Sequence, residues 1–193
     1  MPRNKLFDEE KALDQAMVLF WKKGYHETSI TDLIEALGIS NASIYHSFKG
    51  KRQLFDRAFE RYRQRSLAGV QAFIQTQTNV KAGLRLIFQR IIQDDLLDPQ
   101  GKGCMVVNTT TELLPDDEAM RRVVEQYRAD VISTFYAFLQ QGVAWGQVSG
   151  DKSLITIANL LFTYMMGLRV ADKIKPDEAS ANASLEALLS LLD

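Results

Sequence analysis

The sequence predicts an all-α protein of about nine helices, and three observations carry that expectation. Apolar residues recur at three- and four-residue steps along most of the chain, the period of one helix face. No stretch alternates apolar and polar residues for the length of a strand. The 4 Pro and 11 Gly among 193 residues stand at intervals that leave long uninterrupted segments between them.

Asp8 to Lys23 reads as the first helix, with Leu13, Ala16, Met17 and Phe20 on its apolar face and Gly24 as its stop. Thr28 and Ser29 then offer capping oxygens, and Asp32 stands three residues past Ser29, as in a capping box. The second helix carries Leu33, Ile34 and Leu37 and ends at Gly38. Ser40 caps a short third helix through Ser47 that contains Ala42, Ile44 and Tyr45. Lys51 to about Thr76 is a long fourth helix with Leu54, Phe55, Ala58, Phe59 and Tyr62 as its periodic face. Val80 to Leu97 is the fifth, built on Leu84, Ile87, Phe88, Ile91 and Ile92. A loop at Pro99 to Gly103 precedes a short sixth helix, Cys104 to Leu113. Asp116 and Asp117, acidic at the positive end of a helix dipole, open a seventh that reaches Trp145. Ser153 to Val170 and Ala179 to Leu192 complete the set.

Composition bounds the class. Hydrophobic residues make up 46% and charged residues 24%, ordinary for a soluble globular protein. One cysteine cannot form an internal disulfide, which suits a reducing cytoplasm. The basic start Met1-Pro2-Arg3-Asn4-Lys5 is followed by no long apolar run, so no secretory signal is expected. Leu154 to Ala171 has nearly the length of a membrane span, but Thr156, Asn159, Thr163, Tyr164 and Arg169 interrupt it. A soluble helix buried on two sides is the expectation, with no membrane partner. The net charge of -1 conceals a split: residues 1–65 hold 12 basic and 9 acidic side chains, the rest 11 and 15. A DNA-binding head on a mildly acidic body fits that asymmetry.

The segment from Thr28 to Tyr45 has the logic of a helix-turn-helix. Gly38 permits the left-handed residue that ends one helix, Ile39 enters a small core, and Ser40 restarts the chain. Asn41, Ala42 and Ser43 keep the first turn of the second helix small or polar, so that it enters a major groove without conflict. Tyr45, His46, Lys49, Lys51 and Arg52 follow as phosphate partners, and Arg3 and Lys5 form a basic arm ahead of them. Phe48 reads as core, and Tyr45 as a buried ring with an outward hydroxyl.

The run Phe20-x-x-x-Gly24-Tyr25-x-x-Thr28-Ser29-x-x-x-Leu33-Ile34-x-x-Leu37-Gly38-Ile39-Ser40-x-x-x-Ile44-Tyr45-x-x-Phe48-x-x-Lys51-x-x-Leu54 closely resembles the tetracycline-repressor (TetR) family. The resemblance covers roughly the first third of the chain. It implies a homodimer that binds a palindromic operator in double-stranded DNA. By position, Thr28 resembles a phosphate contact at the start of helix two, Tyr45 and Lys51 resemble phosphate clamps, and Asn41 and Ser43 fall where bases are read. Ser29, Ser40, Ala42, His46 and Lys49 complete the expected DNA-binding set. Two departures stand out: Asn41-Ala42 replaces a frequent basic residue and Gly, and Ser47 replaces a frequent His or Tyr. The implied division is a DNA-binding domain at 1–50 and a ligand-binding and dimerisation domain at 51–193, with helix 51–76 connecting them.

The resemblance also implies a helical ligand cavity and a four-helix dimer interface made from the last two long helices. Leu154, Ile157, Leu161, Leu185, Leu188, Leu189 and Leu192 are the interface residues it suggests. Phe88, Ile92, Cys104, Met105, Thr109 and Tyr127 are candidate walls of an effector pocket, together with Trp145, Phe162, Met166 and Arg169. Arg169, ending an apolar helix, must reach water, a carboxylate or a ligand, and a surface ion pair is the expectation. Cys104 follows Gly101-Lys102-Gly103 and opens a helix, where the dipole and Lys102 both favour a thiolate. Family members that resemble this Gly-Cys helix start respond to electrophiles or oxidants; a small buried thiol packing as an apolar residue is the other reading.

An enzyme is not expected. Both histidines, His26 and His46, lie in the head, and no metal-ligand spacing, phosphate loop or nucleophile elbow is present. The acidic pairs Asp94-Asp95 and Asp116-Asp117 fall at helix ends, where capping accounts for them. No catalytic residue, metal or cofactor is therefore assigned. A helical ligand-binding protein that does not touch DNA, and an activator of the same fold, are the other functional readings. The partners expected are an operator duplex, a small-molecule or oxidant effector, and a second copy of the chain.

Overall fold

The computed structural model describes residues 7–174 and 177–193, and among these the regular structure is helical. Nine α-helices follow in order: α1 Glu9–Lys23, α2 Ile30–Leu37, α3 Asn41–Phe48, α4 Lys51–Gln75, α5 Val80–Leu96, α6 Met105–Leu113, α7 Glu118–Ala144, α8 Leu154–Ile174 and α9 Glu178–Leu189, then a 3₁₀ turn at Ser190–Leu192. The bounds differ from the sequence expectation mainly where a polar residue caps a helix instead of opening it. Asp8 Oδ1 accepts from Glu10 N–H at 2.9 Å and Asp117 caps α7 through Met120 N–H at 2.8 Å, while α5 starts at Val80 as expected, capped by Asn79 through Ala82 N–H at 2.8 Å. The α8 helix continues four residues beyond Val170, since no Gly or Pro interrupts 171–174.

The chain forms two compact units, one of Met1–Arg65 with Cys104–Asp116, the other of Ser66–Gly103 with Asp117–Asp193. The first is centred on fully covered aromatic rings. Phe20 meets Phe55 edge-on at 5.1 Å, and Phe55 stacks with Phe59 at 6.1 Å, which joins α1 to α4. Arg61 reinforces that joint: its Nε donates to Asp14 at 2.5 Å, it also pairs with Glu10, and Arg65 reaches the same Asp14 at 2.7 Å.

In the second unit α7 packs along α8, and α5 packs against α9, α8 and α7. Two glycines permit this closeness. A Cβ on Gly142 would stand 2.7 Å from Val148 and 2.9 Å from Val80, and one on Gly83 would meet Phe138 at 3.0 Å. Arg85 grips Glu186 through two bonds of 2.5 and 2.7 Å, and Lys81 holds Asp193 at 2.6 Å. Arg169 corrects its sequence expectation. It pairs with Asp95 inside the unit rather than at the surface, the two side chains being 18% and 8% exposed. Capping therefore does not account for Asp95.

The Leu154–Ala171 window of α8, with mean hydropathy 1.5, is long and apolar enough to cross a membrane, yet only 28% of it is buried within the chain. Within one copy the helix is covered on one side.

Phe135 is fully buried in the second unit. Phe135→Ala should cost about 3–5 kcal/mol, read from the urea midpoint. The charge pairs set the acid response. Hydrogen bonds from Arg61, Arg85 and Lys81 hold Asp14, Glu186 and Asp193, respectively, below the usual carboxylate range. A depressed folded pKa adds stability that is complete above the unfolded value, about 4, and is lost as pH falls through the folded value. Melting temperature should therefore be flat from neutrality to about pH 5 and drop below about pH 4.

Candidate nucleic-acid interface

The first unit positions a short helix by a series of local devices. Ser29 Oγ accepts from Asp32 N–H at 3.0 Å while Asp32 accepts from Ser29 N–H at 2.7 Å, so the capping box of α2 is complete. Lys23 adds an ion pair to Asp32 at 2.8 Å, and with Ser29 it drives that carboxyl far below its ordinary range. Gly38, at φ 63°, ends α2 in the left-handed conformation and donates to Ile34 O. Ser40 then caps α3, its Oγ accepting from Ser43 N–H at 3.2 Å. Ile44 and Phe48 are buried, which leaves Asn41, Ala42, Tyr45 and His46 on the exposed face of α3.

The end of α3 is tighter than its start. Lys49 takes φ 61°, the one positive φ outside glycine among the described residues, and its N–H closes on Tyr45 O at 3.0 Å. Gly50, at φ 109°, lets the Tyr45 ring lie close: a Cβ there would be 3.3 Å from the ring. Tyr45 itself is 54% exposed, so the ring lies over the turn instead of in the core. Lys51 reaches back across the fold. Its Nζ donates to His26 O at 3.4 Å and stands 4.5 Å from the centre of the Tyr25 ring. Burial lowers the Lys51 pKa, while the carboxylates of Glu112, Asp32 and Glu27 oppose the shift.

Thr28 departs from expectation. Its side chain is fully buried and its hydroxyl donates to Gly24 O at 2.6 Å, so the group expected to meet a phosphate is engaged inside the fold. Ser29 is exposed, Ser43 half-buried with its Oγ 3.0 Å from that of Ser40, and Lys49 exposed with its Nζ on His46 O at 3.2 Å. Arg3 and Lys5 lie outside the described residues. Arg57 had no signal in the sequence beyond its charge. It lies over the Phe48 ring at 4.9 Å and donates to Ser47 O at 3.5 Å, which places a further cation beside the end of α3.

The residues expected to line an effector pocket are divided between the two units. Cys104, Met105 and Thr109 are buried in the first unit, whereas Phe88, Ile92 and Tyr127 are buried in the second. Phe162, Met166 and Arg169 are half-covered in the second unit, and Trp145, at the end of α7, is 43% exposed. A groove of about 630 Å³ in the second unit lies instead along Leu67, Gln71, Ile74, Thr134, Ala137 and Phe138. Cys104 is 6% exposed and stands just ahead of α6 without a side-chain capping bond, with Tyr62 Oη donating to its Sγ at 3.7 Å. Lys102, expected beside the thiol, pairs with Asp98 at 3.3 Å. The expected dimer residues are also corrected. Ile157, Leu161, Leu185, Leu188, Leu189 and Leu192 are buried in the chain's own core and Leu154 is half-covered. The exposed apolar residues of α8 are Ile155, Leu160, Val170 and Ile174.

Comparison with known proteins agrees with this geometry. Residues 12–58 match the family described as bacterial regulatory proteins, tetR family. The chain is 31% identical to YezE of Bacillus subtilis, an uncharacterized HTH-type transcriptional regulator, over 100% of both chains. It is 30% identical to the HTH-type transcriptional repressor ComR of Escherichia coli, over 98% of this chain and 87% of that one. Among solved structures, a cysteine mutant of the TetR family regulator CifR, complexed with 26-bp double-strand operator DNA, matches with TM-score 0.86 and 26% identity over 100% of both chains. Reduced NemR of E. coli has the same fold, with TM-score 0.87 at 17% identity over 95% of this chain and 96% of that one.

Ser40→Ala removes the oxygen that caps α3. It should cost about 1 kcal/mol in the denaturation midpoint, against a few tenths for Ser40→Gly.

Proposed function

This chain belongs to the tetR family of bacterial regulatory proteins, and from that membership we propose a homodimeric repressor that binds a palindromic operator and is released by an effector. It is a DNA-binding transcriptional regulator, and the relatives it matches along their length are regulators, not enzymes. The observation that carries the reading is the framed third helix: its polar, exposed face projects from an apolar anchor of Ile44 and Phe48. The operator complex of CifR supports the same role here.

In this reading residues 1–50 bind DNA, while 51–193 sense and dimerise. Asn41, Ala42 and Ser43 meet base edges, and Ser29, Ser40, Tyr45, His46, Lys49 and Lys51 meet phosphates. Any contact at Thr28 falls to its main chain, and Arg3 and Lys5 act as a basic arm. A second copy covers the apolar side of α8. The small exposed residues Ala179, Ala183 and Ala187 of α9, spaced by four and followed by Leu191, support a closely packed helical partner. Two-fold symmetry of the protein then matches two-fold symmetry of the operator.

The effector is a small molecule or an oxidant. An oxidant would act at Cys104, whose Gly103-Cys104 helix start resembles that of some oxidant-responsive members of the family, after an opening motion that uncovers the thiol. Effector binding shifts a population of head separations through α4, which follows the recognition helix directly at Lys49-Gly50. Such a regulator works in the cytoplasm, beside the chromosome.

The test is binding to a labelled duplex carrying the region upstream of its own gene. Binding should fall steeply with salt, and Tyr45→Ala should weaken it about tenfold, the scale of one charge-assisted hydrogen bond. Leu160→Glu should yield monomers in sedimentation and lose tight binding. A salt-insensitive protein with no sequence preference would instead favour a ligand-binding protein without DNA, and gene expression that falls on deletion would favour an activator.

A further inference from the structure

The helix-turn-helix is held from outside the residues that read DNA. At the C-terminal end of α6 the carboxylate of Glu112 accepts two main-chain hydrogen bonds from the α1–α2 turn, Tyr25 N–H at 3.0 Å and His26 N–H at 2.6 Å. The partners are 87 and 86 residues apart in sequence. The approach depends on Gly24: at φ 84°, a Cβ there would stand 2.8 Å from Glu112 Oε2. On its other side the turn is fastened by the Thr28 hydroxyl on Gly24 O at 2.6 Å. The Tyr25 ring packs on Phe55 at 5.0 Å and carries the Lys51 ammonium over its face, while His26 O accepts from Lys51 Nζ. One carboxylate thus holds the backbone on which Lys51 and the start of α2 rest.

Resting on the DNA-binding reading, we propose that Glu112 is a positioning residue for operator binding: by holding the Tyr25 and His26 amides it orients Lys51 and the start of α2, so that operator affinity depends on where α6 stands. A carboxylate suits the task because it accepts only, with one oxygen for each amide. Its charge strengthens both bonds relative to a neutral acceptor. The other end of α6 is fastened to the same unit through Cys104 and Tyr62, whose ring meets Trp21 of α1 at 5.0 Å. Displacement of α6 therefore reaches the turn directly.

Simple electrostatics and positioning predict opposite outcomes. Deleting a negative charge beside a phosphate-binding surface ordinarily tightens DNA binding; deleting a positioning group weakens it. A duplex enriched by the wild-type protein from a random-sequence pool serves as the probe, titrated with wild type, Glu112→Ala and Glu112→Gln at several salt concentrations. Glu112→Ala should bind about tenfold more weakly with an unchanged salt slope, because no phosphate contact is lost. Glu112→Gln, keeping one acceptor, should recover part of that loss. Amide hydrogen exchange should show Tyr25 and His26 protected in the free wild-type protein. Equal or tighter binding by Glu112→Ala overturns the proposal. So do unprotected Tyr25 and His26 amides in folded wild type, a result that decides the matter even if the alanine variant does not fold. A pool that yields no enriched duplex overturns the repressor reading itself, and this proposal with it.

Discussion

An eight-residue helix is not stable alone in water, and α3 has two large apolar residues, Ile44 and Phe48, with which to anchor itself. Everything else in the first unit serves that constraint. The aromatic contacts of Phe20, Phe55 and Phe59 supply the core into which the short helices settle. The capping oxygens of Ser29 and Ser40 satisfy the orphan N–H groups that helices this short have in large proportion. Because apolar anchorage is confined to one side, the other side is left for polar groups without loss of stability. A recognition surface is what remains when a small helix is framed on all but one face.

The same unit contains a segment far away in sequence. Helix α6 belongs to it by contact, and its Glu112 completes a turn in the head that would otherwise leave two N–H groups to solvent. The arrangement ties the turn of the head to α6 as well as to α4. Both α4 and α6 have residues packed with the head, so a displacement of either is felt where Lys51 and α2 begin.

In the second unit, burial sorts the apolar residues of α8 and α9 into two sets. Ile157, Leu161, Leu185 and Leu189 cement α8 and α9 to their own chain, while Ile155, Leu160 and Val170 stay exposed on the opposite side of α8. Ile157 and Leu161 share α8 with the exposed set, which is why the hydropathy of α8 approaches that of a membrane span. Arg169 and Asp95 show what becomes of a charge within such a helix: the guanidinium turns inward to a covered carboxylate instead of outward to water.

Much of this was legible in the sequence. Helix positions followed from three- and four-residue spacing, and the helix-turn-helix followed from Gly38 and Ser40 between two apolar steps, because capping and periodicity are local properties of the chain. Tertiary structure decided what local pattern cannot carry: that the Thr28 hydroxyl is turned inward, that Tyr45 lies out over Gly50, and that the leucines of α9 face their own core. Periodicity marks an apolar stripe without saying what covers it, and an apolar stripe looks the same whether its partner is the same chain or another. Glu112 is the extreme case. A lone carboxylate near the end of a short helix has no sequence signal, and its role exists only because folding brings it to a turn 86 residues away.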